Sequence, residues 1–235
     1  MSETMIEIPG SAVYVLHDLD NHLAESAQAI VDWSNGWVNH DRLGVKTLTL
    51  RDYHEDFPKL WGVSLEEGNE RWAEYCKTGL GKVSPIDEMQ QVIRRLPGNI
   101  VHEILTSRGQ HTVTTTRTWV SRHYPSIRRV HHANTDWRND PNAHMRTKAE
   151  SIRHYLASGC LPRLPDLMAD DTPLHLRGCR DLRVNGGRIK HNVLSGDYPW
   201  NKEAQKEDGL VWLPTPSMFE EYVLEAAAKK QQQSE

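Results

Sequence analysis

Two aspartates one residue apart, Asp18 and Asp20, close the apolar run Val13-Tyr14-Val15-Leu16. In an extended segment the side chains at i and i+2 point the same way, so both carboxylates face one side. Carboxylates that close repel unless a cation, a shared proton or separate roles divides them. Further along the chain stand a hydroxyl pair, Thr106-Ser107, an amine, Lys148, and a second acid pair, Asp170-Asp171. Together these groups fit phosphoryl transfer. Asp18 is the candidate nucleophile, attacking phosphorus to form an aspartyl-phosphate. Because carboxylate and phosphate repel, a Mg²⁺ is expected, held by oxygens of Asp18, the Asp20 carbonyl and Asp170 or Asp171. Lys148 and the hydroxyls of Thr106 and Ser107 are candidates for the remaining phosphate oxygens. Asp20 is the candidate acid and base, protonating the leaving alkoxide and then deprotonating water.

Lys148 adds a physical hint of its own. It sits in the first turn of an expected helix, where the macrodipole disfavours a cation by a few tenths of a kcal/mol, roughly. A nearby anion removes that conflict.

For such groups to meet, the chain must bring several strand ends to one edge. Val13–Leu16 reads as a strand buried on both faces. Ser84-Pro85-Ile86-Asp87 offers an N-cap, a proline at the first helical position and an acid in the first turn. Ile86, Met89, Ile93 and Leu96 then repeat at helical spacing until Pro97-Gly98. Ile100–Leu105 is the next strand, His111–Tyr124 a helix and Ile127–His132 a third strand. Thr147-Lys148-Ala149-Glu150 is a capping box, with Ile152, Tyr155 and Leu156 inward and Gly159 as the stop. Leu164–Ala169 is a fourth strand. This alternation predicts a doubly wound, Rossmann-like α/β core with a parallel sheet, formed by residues 1–22 and 84–235. In such a sheet the Asp18/Asp20, Thr106/Ser107 and Asp170/Asp171 ends share the carboxyl edge. After Thr172 the signal weakens: Asn185-Gly186-Gly187 is a turn and Asn192-Val193-Leu194 an edge strand. Thr215-Pro216 opens a last helix with Phe219, Tyr222, Val223 and Ala226 inward, and residues from Ala227 on are expected to fray.

Residues 23–83 differ in character, holding Trp33, Trp37, Trp61 and Trp72 of the chain's eight tryptophans. Ala27, Ile30, Val31 and Ser34 mark one helix. Ser64-Leu65-Glu66-Glu67 opens another, whose apolar side includes Leu65, Trp72 and Cys76. The stretch reads as a helical insertion. Its aromatics Trp33, Trp37, Phe57 and Trp61 are candidates to stack on a base, or they form the module's own core. Arg108, following the hydroxyls, is a candidate for a substrate phosphate or a surface carboxylate.

Composition narrows the field. With 235 residues the chain can bury one substantial core and a small module. A net charge of −4 gives no global basic field for a nucleic-acid polymer, whereas a small anion needs only local positive charge. No apolar run approaches the ~20 residues of a membrane span, and the expectation is a soluble, cytoplasmic protein. Cys76, Cys160 and Cys179 are odd in number and far apart, which argues against a disulfide framework and a CxxC knuckle. The 13 histidines are scattered, and His131-His132 reads as structural.

Asp18-Leu19-Asp20, Leu105-Thr106-Ser107, Lys148 and Asp170-Asp171 resemble, in order and spacing, the four motifs of the haloacid dehalogenase-like superfamily. The resemblance implies a Rossmann-like core, Mg²⁺ dependence, the roles given above, and a cap formed by residues 23–83. Within the superfamily the chain is most similar to the 5′(3′)-deoxyribonucleotidases. The pointers are the helical insertion, Leu105-Thr106-Ser107, the Asp170-Asp171 pair and Gly196-Asp197-Tyr198-Pro199-Trp200-Asn201. That similarity implies hydrolysis of nucleoside monophosphates, above all deoxyribonucleoside monophosphates, with a homodimer left open. Asn21-His22 stands where the family usually has Gly-Val or Gly-Thr; Asn tolerates the glycine-like turn, while His22 is a departure. The competing readings are a phosphatase of sugar phosphates or nucleic-acid ends, and a non-catalytic scaffold that binds a protein partner.

Overall fold

Every residue of strand β1 (Val13–His17) is buried, as a strand covered on both faces requires. The computed structural model describes residues 7–37, 47–54, 56–133 and 147–233. In it β1 pairs in parallel with β2 (Ile100–Thr106) on one side and β4 (Leu167–Asp170) on the other. β3 (Val130–His132), β5 (His191–Ser195) and β6 (Val211–Leu213) complete a six-stranded sheet in the order β3-β2-β1-β4-β5-β6, all pairings parallel. The order reverses between β1 and β4, and open α/β sheets place ligands in the crevice at that switch point.

The helices are α1 (Ser26–Trp37), α2 (Phe57–Trp61), α3 (Leu65–Thr78), α4 (Asp87–Arg95), α5 (Val113–His123), α6 (Lys148–Ala157), α7 (Pro173–Asp181) and α8 (Pro216–Gln232). One face of the sheet packs Val13, Val15 and Ile104 against Val92, Trp119, Phe219 and Val223. The other packs Tyr14, Leu16 and Leu105 against Ile152, Leu176 and Cys179. The first cluster continues without a break into residues 23–83 through Leu23, Ile30, Trp61, Tyr75 and Leu80. No helix among the described residues is long and apolar enough to cross a membrane.

Several expectations shift. Ser84–Ile86 is not the first turn of α4, because Glu25 donates to the Ser84 carbonyl and Ile86 to the Leu23 carbonyl, which keeps that segment extended. Leu65, expected inward, is 69% exposed; α3 buries Gly68, Arg71 and Tyr75 instead. Gly68 is required there, since a Cβ would come 2.6 Å from Pro58 Cγ of α2. β3 is shorter than expected because the Ile127 amide closes a turn on the Tyr124 carbonyl. β5, expected at an edge, is interior, with β6 outside it. α7 was not anticipated. α8 does not fray at Ala227, which is buried in place of Ala226. Lys230 Nζ holds its end against Asp166 Oδ2 at 2.6 Å and the Ala12 carbonyl at 2.8 Å.

Candidate active site

Asp18 follows β1 directly, and its amide donates to the Ala169 carbonyl of β4 at 2.7 Å, so its side chain enters the switch-point crevice. Asp170 is the last residue of β4. Lys148 is the first residue of α6, fixed by a complete capping box in which Thr147 and Glu150 satisfy each other's amides. Its side chain is 1% exposed, and Nζ lies 2.6 Å from Asp18 Oδ1 and 2.6 Å from Asp170 Oδ2. Two carboxylates thus offset the unfavourable dipole position. Burial pushes Lys148 toward losing its proton, but Asp170 and Asp18 outweigh burial and raise its pKa. Burial drives Asp18 well above the ordinary carboxylate range; Lys148 opposes the rise, and Asp170 and Asp20 add to it. Asp170 is also penalised by burial, yet Lys148 and His175 hold it low. His175 of α7 stands 3.2 Å from Asp170 Oδ2.

Asp171 completes the acid group. Its Oδ2 accepts from Asn21 Nδ2 at 3.2 Å and from the Trp200 indole N–H at 2.8 Å. One oxygen each of Asp18, Asp170 and Asp171 lie within 4.8 Å of one another, all buried. These three carboxylates converge with one ammonium and one histidine in a buried pocket. Hard oxygen donors gathered in that way fit a divalent cation such as Mg²⁺.

Asp20 lies across the crevice. Arg108 grips it as a fork, Nε to Oδ2 at 3.0 Å and Nη2 to Oδ1 at 2.6 Å, and the Ser26 hydroxyl adds a short hydrogen bond. Burial alone would raise the Asp20 pKa, but the Arg108 guanidinium outweighs it and holds the group below its usual value. Asp20 is therefore an acceptor as placed, and of the two partners considered for Arg108, a phosphate or a carboxylate, the structure shows a carboxylate. The Thr106 hydroxyl, fully buried at the end of β2, accepts from the Arg108 amide at 3.1 Å. Ser107 beside it is half-buried.

The expected aromatics pack against one another. Trp61 is 4% exposed and its indole donates to the Ser34 hydroxyl at 2.9 Å, so packing occupies it and no ring face is offered to a base. Trp33 is half-buried, edge-on to Tyr75, and donates to Thr78 Oγ1 at 3.0 Å. The Trp37 side chain lies outside the described residues. His22 hydrogen-bonds to Ser195 and His17 rather than to a carboxylate. A groove of about 760 Å³ runs along β3, lined by Arg117, Arg128, Arg129, His131, His132 and Tyr155 rather than by the carboxylates.

Four residues at the site carried no assigned role: Asn21, His175, Tyr198 and Ser26. Asn21 adopts φ 57°, its amide oxygen accepts from the Ala27 amide at 2.7 Å, and its carbonyl accepts from the Tyr198 hydroxyl at 2.7 Å. Tyr198 stacks on Trp200 with centroids 4.6 Å apart, and Tyr53 contacts the same indole at 4.9 Å. The signal for Asn21 and Tyr198 was their place inside the quoted motifs.

Comparison with known proteins gives a fold. No family model matches the chain. No curated protein matches it either. Among solved structures, a haloacid dehalogenase-like hydrolase from Streptococcus pneumoniae superposes with TM-score 0.62 at 14% identity, over 91% of this chain and 99% of that one. A protein from Lactobacillus plantarum assigned as a phosphoglycolate phosphatase gives 0.60 at 13% identity, over 89% and 98%. One from Thermotoga maritima assigned as a β-phosphoglucomutase gives 0.51 at 17% identity, over 91% and 99%. The chain has the haloacid dehalogenase-like fold.

Proposed function

We propose that this chain is a phosphoric monoester hydrolase working through an aspartyl-phosphate, with residues 23–83 as a cap over a core of 1–22 and 84–235. The carrying observation is the buried ammonium of Lys148 between Asp18 and Asp170 at the switch point, with Asp171 close by. A structural ion pair has little use for a third converging carboxylate. Asp18, Asp170 and Asp171, with the Asp20 carbonyl, would hold Mg²⁺, whose charge lets an anionic carboxylate approach an anionic phosphate.

The side chains divide the remaining work. Lys148 and the Thr106 and Ser107 hydroxyls orient the phosphate oxygens while Asp18 Oδ attacks phosphorus and the ester oxygen departs. An arriving phosphate competes for Arg108; as the guanidinium turns, Asp20 loses the partner that keeps it ionised and can carry the proton to the leaving oxygen. The same carboxylate then takes a proton from the water that hydrolyses the acyl phosphate.

For substrate, the motif resemblance favours nucleoside monophosphates, with deoxyribonucleotides first, in a cytoplasmic setting. A second reading, small sugar or acid phosphates, is favoured by the phosphoglycolate phosphatase and β-phosphoglucomutase assignments of two structural neighbours. A phosphate-release panel of nucleoside monophosphates, sugar phosphates and 5′- or 3′-phosphorylated oligonucleotides, with Mg²⁺ or EDTA, tests both. The expected result is Mg²⁺-dependent turnover greatest on nucleoside monophosphates. Greater turnover on sugar phosphates selects the second reading, and no release from any substrate makes the chain a binding scaffold.

A further inference from the structure

Behind the acids, on the sheet face toward α8, a second polar assembly crosses three strands. His22 Nδ1 lies 2.8 Å from the Ser195 hydroxyl of β5, and His22 Nε2 lies 2.8 Å from His17 Nδ1 of β1. His17 Nε2 in turn lies 2.9 Å from His102 Nδ1 of β2. The rings are buried, with His17 0%, His22 1% and His102 4% exposed. Phe219 of α8 covers His17 and His22, with ring centroids 5.7 and 5.4 Å away. No carboxylate is hydrogen-bonded to any of the three among the described residues.

A neutral imidazole has one donor and one acceptor. Every ring-to-ring link here joins Nε2 of one histidine to Nδ1 of the next, so the chain has a direction. If the Ser195 hydroxyl donates to His22, all three rings carry hydrogen on Nε2; if it accepts, all three carry it on Nδ1. A mixed set would set two lone pairs or two hydrogens face to face at 2.8–2.9 Å.

We infer that this uniform imidazole chain is a positioning device for the Asp20–His22 turn. His22 sits within the turn that follows Asp20, and the imidazole chain ties it to β5 through Ser195 and to β2 through His17 and His102. The turn places the Asp20 carboxylate against Arg108 and the Asn21 amide against Asp171. Rotation of the His22 ring would therefore move both contacts. The inference rests on the phosphatase reading only for its kinetic arm.

His102 is the residue to change, because it ends the chain and touches none of the acids. Nitrogen-15 NMR of the imidazoles in the wild-type protein at pH 7 should show the same tautomer for His17, His22 and His102; mixed tautomers or an imidazolium would overturn the chain. In H102L, kcat should fall at least about tenfold with KM within about twofold, and the Asn21 side-chain amide signal should shift. H102N, which returns a polar atom near the Nδ1 position, should recover kcat to within about threefold and restore the Asn21 signal. An unchanged kcat and Asn21 signal in H102L, or H102N behaving no better than H102L while melting at the wild-type temperature, would overturn the positioning role. A wild type with no turnover would sink the phosphatase reading alone, and the tautomer pattern and Asn21 signal would still decide this one.

Discussion

The carboxylate cluster and the imidazole chain lie back to back at one end of the sheet and bury polar groups by opposite means. Asp18, Lys148 and Asp170 are held by charge-assisted contacts of 2.6 Å. His17, His22 and His102 are held without charge, each ring satisfying the next. Ionic burial of converging carboxylates leaves a site that a cation can enter. Neutral burial leaves no such site and supplies only geometry. On the proposed reading, chemistry belongs with the first arrangement, and the second fixes where that chemistry would happen.

The contrast can be broken at several depths. The largest effect is expected for D18N, which should lower phosphate release on the order of 10³-fold or more without unfolding the chain, measured with an aryl phosphate. Retained turnover would remove the nucleophile from the charged side. Next, K148M strands Asp18 and Asp170 together, and urea unfolding in EDTA should show a loss of about 3–5 kcal/mol. Mg²⁺ should return part of that stability if the acids form a cation site, and a loss that Mg²⁺ leaves untouched would argue against one.

The neutral side is tested by pH. The unfolded chain protonates its histidines near 6.5, whereas folded His102 resists until about 4 and His22 until about 3. The unfolded state thus binds more protons in this window, and stability falls as pH drops from 6.5 toward 4. Each ring contributes a slope of about 1.4 kcal/mol per pH unit. Urea midpoints between pH 7 and 4.5 should therefore decline more gently in H102N, by about one ring's share; an equal slope would mean His102 is charged or exposed in the folded protein. The smallest effect is expected outside both assemblies. W33A should cost about 1–2 kcal/mol of stability and change KM equally for a nucleotide and an aryl phosphate. A selective rise for the nucleotide would restore a base-stacking role to Trp33.

What the sequence discloses follows from the range of the forces involved. Asp18, Thr106 and Asp170 are legible because a buried parallel strand announces itself by a run of apolar residues and its end by the first polar ones. Lys148 is legible through its local capping box. The Arg108–Asp20 fork joins residues 88 apart and depends on how two turns meet, which no local pattern encodes. The imidazole chain needs the register Val15↔His102 between β1 and β2, and its members look like three among 13 scattered histidines. β5 reads from the sequence as an edge strand because its polar Asn192 makes it look half-wet, although Asn192 is 3% exposed. Trp61 and Trp33 were ambiguous for a different reason: an aromatic that packs and one that binds have the same spacing.

The contact of Trp200 with Tyr53 and with Tyr198 has a practical sequel. Tyr53 comes from residues 23–83, whereas Trp200 is anchored by its indole N–H on Asp171. Any swing of that stretch away from the acids strips one face of a single indole and lets water reach it. The emission colour of Trp200, in a variant whose other tryptophans are replaced by phenylalanine, is thus a ready optical gauge of how far the crevice stands open.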